Sequence, residues 1–273
     1  MSLFCCPICG APLVREAHVY RCPSGHSYDI AAQGYIHLLP ANRKHSKMPG
    51  DDKGMAAARS EFLRAGYYEP LRRALCDLTV ELTGDQVSVL DAGCGEGYYT
   101  EGIYHALLQS GKQVKMAGTD ISKMILRRAA RREKGIEFAV ASSYHLPLAD
   151  TSVDLILNCF SPLAVDEFRR ILFHGGHFLY VVPAPRHLWQ MKEILYDRPY
   201  LNEEKLTPYE GFRYVKVIPV RDTIHVIGQP QIHALFQMTP YYWKTPREGC
   251  ERLEKLQELQ TEIAFDIHVF EKI

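Results

Sequence analysis

From residue 85 onward the chain alternates between short apolar runs and amphipathic stretches. Residues 87–91, 114–119, 136–140, 153–160 and 177–183 are apolar runs of strand length. Residues 98–108, 123–132 and 163–172 lie between them and repeat at helical spacing. This rhythm predicts an α/β fold with a mostly parallel sheet covered on both faces. Two helical patterns precede it, at 55–65 and 68–82, the second closed by Gly84 at a C-terminal cap position. The tail from 212 to 273 adds two strand patterns around helices, one of them over 251–259. Near the N-terminus, residues 14–21 alternate as one strand would, and the polar stretch NRKHSKMPGDDKG after Pro40 reads as a linker. The expected organisation is a small module at 1–40, a basic linker and helices at 41–84, and a large domain at 85–273.

A length of 273 residues fits one large domain plus one small one. With 47% apolar and 23% charged residues the chain can bury a sizeable core. No window approaches a membrane span, and the N-terminus MSLFCCPICG lacks a basic segment followed by an apolar one. A cytoplasmic protein is therefore expected. Net charge is zero, which argues against a wholesale polyanion binder. Yet residues 1–75 carry ten Lys/Arg against six Asp/Glu, so the basic surplus sits at the front, where it could face a phosphate backbone.

Four of the eight cysteines fall in the first 22 residues. In a reducing compartment such a cluster points to metal rather than disulfides. Cys6-x-x-Cys9 is followed, after twelve residues, by Cys22-x-x-x-His26, two tight turns able to point four ligands at one tetrahedral zinc ion. A module of about 40 residues is too small to fold on its own core, so the ion would supply folding energy. The closed four-ligand shell predicts a structural ion. A redox CxxC pair would need neither Cys22 nor His26. Cys5 could substitute for Cys6, but the CPxC spacing favours Cys6.

The first strand of the large domain runs into Asp91-Ala-Gly93-Cys-Gly95-Glu-Gly97. A dinucleotide fingerprint would need glycine at 98, where Tyr98 stands. The D-x-G-x-G-x-G form resembles motif I of the class I S-adenosylmethionine (SAM) methyltransferases. Asp120, 29 residues after Asp91, closes the next strand, where a carboxylate can accept ribose hydroxyls. Leu146-Pro-Leu-Ala-Asp150-x-Ser152-x-Asp154 resembles a further stretch of that superfamily. Ser142 stands where the superfamily often has the aspartate that holds the adenine amino group. The fold implied is a class I SAM-methyltransferase (Rossmann-like) sheet with a small N-terminal zinc-binding module.

CPxC, CPxxH, YIHLLP, PGDDKGM, FLRAGYY, DAGCGEGYYT, PRHL and QMTPYYW together resemble the RlmA/TlrB family of large-subunit (23S) ribosomal RNA (guanine-N1-)-methyltransferases, over nearly the whole chain. The resemblance implies zinc on Cys6, Cys9, Cys22 and His26, and SAM contacts at Tyr68, Gly95, Glu96 with its neighbours Gly93, Gly97 and Tyr98, and His187. It implies a homodimer acting on a 23S rRNA hairpin. Without it, Tyr68 reads as core and His187 as a surface or cap residue. The loop Asn158-Cys-Phe160-Ser161-Pro162 lies where related enzymes present groups to the target, so Phe160, Ser161 and Pro162 are the catalytic candidates; Phe160 could equally be core. Arg43, Lys44, His45, Lys47, Arg59 and Arg64 are candidate RNA contacts. The run Arg127, Arg128, Arg131, Arg132 is either a second one or a solvated face. Tyr241, Tyr242 and Trp243 could serve RNA or core. The alternative function is a small-molecule SAM-dependent methyltransferase whose zinc module is purely structural.

Overall fold

A computed structural model describes residues 2–40, 53–204 and 208–273. Arg43, Lys44, His45 and Lys47 lie outside them. The first 40 residues form a three-stranded antiparallel sheet, β1 (Val14–Arg15), β2 (Val19–Arg21) and β3 (Ser27–Asp29), followed by β4 (Tyr35–His37). The single strand expected over 14–21 is a hairpin instead, bent where Glu16 N donates to Val19 O.

Helices α1 (Lys53–Arg64) and α2 (Glu69–Leu82) lead into β5 (Gln86–Ala92), α3 (Tyr98–Gln109), β6 (Gln113–Asp120), α4 (Lys123–Arg132) and β7 (Glu137–Val140). Then follow β8 (Val153–Cys159), α5 (Val165–Ile171), β9 (Leu172–Pro183) and α6 (Trp189–Leu195). The tail is β10 (Phe212–Ile227), α7 (Gln229–Gln237), a 3₁₀ turn at Pro240–Trp243, α8 (Arg247–Glu254) and β11 (Glu258–Lys272). One eight-stranded sheet runs β10-β11-β9-β8-β5-β6-β7-β4. Its strands from β9 to β4 are parallel, and β11 and β10 add antiparallel pairs at one edge. Central parallel strands are covered on both faces, which is why β5, β6 and β8 are predominantly apolar rather than alternating.

Several boundaries differ from the sequence reading, each for a local reason. Helix α2 does not end on a left-handed Gly84: Thr83 is extended, and the Lys112 ammonium caps the Thr83 and Gly84 carbonyls. Strand β9 begins at Leu172 rather than His177, because a bulge between two paired segments breaks its apolar pattern. The helix expected at 251–259 is displaced to α8, and Glu258 already pairs with Ile227.

The front module is not a detached bead. β4 extends the main sheet, with Ile36 opposite Ala139 of β7. Glu137 accepts from Leu3 N and from the Tyr20 hydroxyl, both at 2.9 Å, and Cys5 N donates to Pro147 O at 2.7 Å. Phe4, Leu13, Tyr20 and Ile36 share one apolar cluster with Ala92, Ala117, Ala139 and Phe168. The module and α5 thus cover one face of the sheet. The other face is packed by α1 to α4 and by the helices of the tail. Among the described residues no helix is long and apolar enough to cross a membrane.

Candidate active site and metal centre

The order of strands reverses at β5: its two neighbours, β6 and β8, are reached by crossovers in opposite directions. A crevice opens at the carboxyl ends of strands at such a switch point. Here it is a cavity of about 950 Å³. Its floor is the turn after β5, where Gly93, Gly95 and Gly97 have φ of +88°, +56° and +79°. Gly93 N and Cys94 N both donate to Thr119 O, which holds the turn against β6. A Cβ on Gly93 would fall 2.3 Å from Cβ of Ser161, so only bare backbone fits there.

Asp120 ends β6 with its Oδ2 accepting from Gly95 N at 3.0 Å and its Oδ1 from Ser122 N at 2.7 Å. Asp91 ends β5, 2% exposed, and lines the cavity. Its Oδ2 accepts from Thr100 Oγ1 at 2.6 Å, while Oδ1 has no partner among the described residues. Burial, helped by the nearby Asp120 charge, pushes its pKa up to about 7. A buried carboxylate oxygen without a donor, on a residue that lines a cavity, suits a cationic ligand group. Glu96 is buried too, but Arg132 (3.0 Å) and Arg128 (3.8 Å) neutralise it.

Tyr68 stands just ahead of α2, and His187 follows the end of β9; the two are brought together across the cavity rim. His187 Nδ1 accepts from Ala264 N at 3.2 Å, so in the neutral ring the proton sits on Nε2. That proton points at the Tyr68 oxygen, 3.3 Å away, leaving the tyrosine hydroxyl free to donate. Burial, with the Lys192 charge behind it, pushes the His187 pKa down to about 3 and keeps the ring neutral. Phe265 packs against both rings, at 4.9 Å from Tyr68 and 4.5 Å from His187.

Of the other sequence candidates, Tyr98, Ser142, Phe160, Ser161 and Pro162 also line the cavity. Gly97 does not. It caps α3, and a Cβ there would meet Ala129 of α4 at 3.1 Å, so its bareness serves helix packing. Phe160 leaves β8 with φ +55° and 47% of its surface exposed, its ring 5.5 Å from Phe265. The strained backbone turns the ring into the crevice rather than the core. The Ser161 hydroxyl is engaged internally: it donates to Ala92 O and accepts from the Asn158 amide, both at 2.6 Å.

The basic residues separate. Arg59 lines the cavity instead of facing outward. Arg128 and Arg132 are tied to Glu96, Ala56 O and Glu101, leaving Arg127 and Arg131 exposed. Tyr241 is buried in the cavity wall, Tyr242 packs on Phe236, and Trp243 is 66% exposed. The sequence reading passed over Lys192, a fully buried lysine whose ammonium donates to Tyr200 O (2.9 Å) and Asn202 Oδ1 (2.7 Å). It fixes Tyr200 and Asn202, both of which line the cavity. Nothing in the local pattern of α6 distinguishes this lysine from a solvated one.

At the front, Cys6, Cys9, Cys22 and His26 bring their ligand atoms within 4.8 Å of one another. Cys9 Sγ lies 3.7 Å from Cys22 Sγ, and His26 Nδ1 lies 3.5 Å and 3.3 Å from the sulfurs of Cys6 and Cys22. Tetrahedral zinc bonds of the usual lengths require edges of about 3.8 Å between sulfurs and about 3.5 Å from sulfur to nitrogen. The cluster therefore fits a zinc ion with Nδ1 as the histidine ligand. The Tyr28 hydroxyl, 3.0 Å from Cys6 Sγ, can donate to the thiolate as an outer hydrogen bond. Backbone and side-chain donors, Ala11 first, pull the Cys9 thiol down to about 6. Cys5 lies apart, paired with Pro12 and turned toward the main sheet.

The family model described as "RlmA, N-terminal" matches residues 4–47, and that described as "Methyltransferase domain" matches residues 89–176. A solved structure of a candidate type II methyltransferase from Anaeromyxobacter dehalogenans shares the fold (TM-score 0.52, 18% identity, 72% of this chain and 94% of that one). Sheet order, glycine turn and matched domain define a class I SAM-dependent methyltransferase carrying a Cys₃His zinc ribbon. A candidate 23S rRNA (guanine-N(1)-)-methyltransferase of Micromonospora griseorubida is 38% identical over 209 residues, covering 70% of this chain and 68% of that protein. The 23S rRNA (guanine(748)-N(1))-methyltransferase of Streptomyces fradiae is 36% identical over 193 residues, 70% of this chain and 66% of its own length. A Bacillus subtilis relative with the same candidate activity is 28% identical over 97% of this chain and 96% of its own. The chain belongs to the RlmA-like family of 23S rRNA (guanine-N1-)-methyltransferases.

Proposed function

We propose that this enzyme methylates N1 of a guanine in a hairpin loop of 23S rRNA, as a cytoplasmic homodimer. The observation that carries the reading is the joining of a ribbon of the RlmA type to a methyltransferase crevice in one continuous core. Relatives named for guanine-N1 transfer in three organisms support it. A small-molecule methyltransferase has no use for the ribbon.

In this reading the methyl donor lies along the turn after β5. Asp91 takes the cationic end, and Gly93 and Gly95 give bare backbone. Asp120 accepts the ribose hydroxyls, and Ser142 lies at the adenine. Tyr68, hydrogen-bonded to His187, covers the donor from above; Glu96 and Tyr98 complete the wall. The donor supplies a methyl group on a sulfonium, and the protein holds the nucleophile in line with it. Phe160 stacks on the guanine once it is taken out of its loop. Guanine N1 becomes nucleophilic only as its proton leaves, which builds charge on O6. Burial holds the phenol of Tyr99 protonated, and its hydroxyl has no partner among the described residues, whereas Tyr241 already donates to Asn202 Oδ1. Tyr99 therefore acts as a hydrogen-bond donor toward such a charge rather than as a base. Zinc maintains the ribbon that presents the RNA.

The test is binding of a 23S hairpin across a salt series. Affinity that falls steeply and linearly on a logarithmic scale supports RNA as substrate. Absence of RNA binding by a protein that binds SAM favours the small-molecule alternative.

A further inference from the structure

SAM carries three charges outside its adenosine: a sulfonium, an ammonium and a carboxylate. The cavity's carboxylates Asp91 and Asp120 suit the cationic and hydroxyl groups. Among the described residues, Arg59 is the one lysine or arginine that lines the cavity. It projects from α1, one helix ahead of Tyr68. We propose that Arg59 binds the carboxylate of the methionyl end of SAM, and that Arg59 and Asp91 together form a clamp for the α-amino acid head group.

The placement supports this pairing. An amino acid head carries opposite charges on one carbon, so its two protein partners must flank a common point. Cys159, at the end of β8, lines the same cavity and feels both charges: burial pushes its thiol up, Asp91 pushes it further and Arg59 pulls it back. Arg59 also acts on Tyr68 and Tyr99, which line the same part of the cavity. Asp91, with its Oδ1 unpartnered among the described residues, and the cationic Arg59 of the same cavity lining match an ammonium and a carboxylate. A guanidinium presents paired donors that fit a carboxylate, and such charged hydrogen bonds in a dry site are among the stronger ones.

This inference rests on the cavity being the SAM site. The test is calorimetric titration of the full chain and of Arg59→Gln with two ligands. S-adenosylhomocysteine has the head group; 5′-methylthioadenosine has the same nucleoside and sulfur without it. The expected result is that Arg59→Gln weakens S-adenosylhomocysteine about twentyfold or more, the scale of a charged hydrogen bond. Methylthioadenosine should bind the variant within about twofold of the parent, which also shows that the variant is folded. Equal losses for both ligands would mean that Arg59 shapes the pocket, and would overturn the clamp. Unchanged affinity for both, with slower methylation of RNA, would move Arg59 to the target base. No binding of either ligand to the parent chain would remove the SAM reading itself, a failure distinct from these.

Discussion

Gly93→Ala and Gly95→Ala change neighbouring positions in one turn, and the structure separates their effects. Both glycines have positive φ, so each alanine carries a backbone cost of about 1–2 kcal/mol. At Gly95 nothing lies within 4 Å of the added Cβ, and the backbone cost is all there is. At Gly93 the new Cβ would sit 2.3 Å from Ser161 Cβ and 2.5 Å from its Oγ. Ser161 cannot step aside cheaply, because its hydroxyl joins Ala92 O to the Asn158 amide. Overpacking adds about 1–3 kcal/mol, and the two displaced hydrogen bonds about 1 kcal/mol each. Gly93→Ala is thus expected to destabilise by about 4–7 kcal/mol, against about 1–2 kcal/mol for Gly95→Ala. Urea unfolding of both variants measures the difference. Adding Ser161→Gly to Gly93→Ala removes the clash, so the double variant should be more stable than the sum of the two single losses. Equal destabilisation by the two alanines, or strict additivity in the double variant, would refute the steric argument.

Asp91, near pH 7 in the free protein, should lose its proton when a cationic ligand arrives. A ligand that favours the ionised form binds more tightly as pH rises, so SAM affinity should increase from pH 6 to 8 with release of a proton. Asp91→Asn should weaken binding and flatten that profile; an unchanged slope in the variant would assign the titration elsewhere. Phe160→Ala should lower kcat/KM for RNA by about 10- to 100-fold, the scale of base stacking, while the Kd for SAM stays put. Loss of SAM affinity instead would make Phe160 part of the donor site. Removing zinc with a chelator should lower the melting temperature in one cooperative step, because Phe4, Leu13 and Ile36 share a core with Ala117 and Ala139. Two separate transitions in calorimetry would show the ribbon to be energetically independent.

Features set by short-range spacing were legible in the sequence. The ribbon's four ligands sit in two local turns, and their geometry depends little on the rest of the chain. The strand–turn–helix around Asp91 was equally readable, because the glycines, the buried strand and Asp120 each have one physical reason to occur. What depends on long-range packing was not readable. Arg59 follows a basic linker and looks like part of it, yet α1 turns it into the cavity. Arg128 and Arg132 share a helix with Arg127 and Arg131, and only the position of Glu96 tells the inner pair from the outer. The role of YIHLLP as an edge strand depends on β7, a hundred residues away. Ser161 reads in sequence as a catalytic candidate, and its engagement with Ala92 O and the Asn158 amide follows from packing against the glycine turn.

In the proposed function the glycine turn holds a methyl donor to which the zinc ribbon brings RNA. The most direct measurement is incubation of protein-free 23S rRNA with isotopically labelled SAM, followed by mass-spectrometric mapping of the label. One N1-methylguanine in a hairpin loop is expected, absent when Cys9→Ser replaces the native chain at unchanged SAM affinity. Label spread over many nucleotides, or a Cys9→Ser variant that methylates the same guanine at full rate, would contradict it.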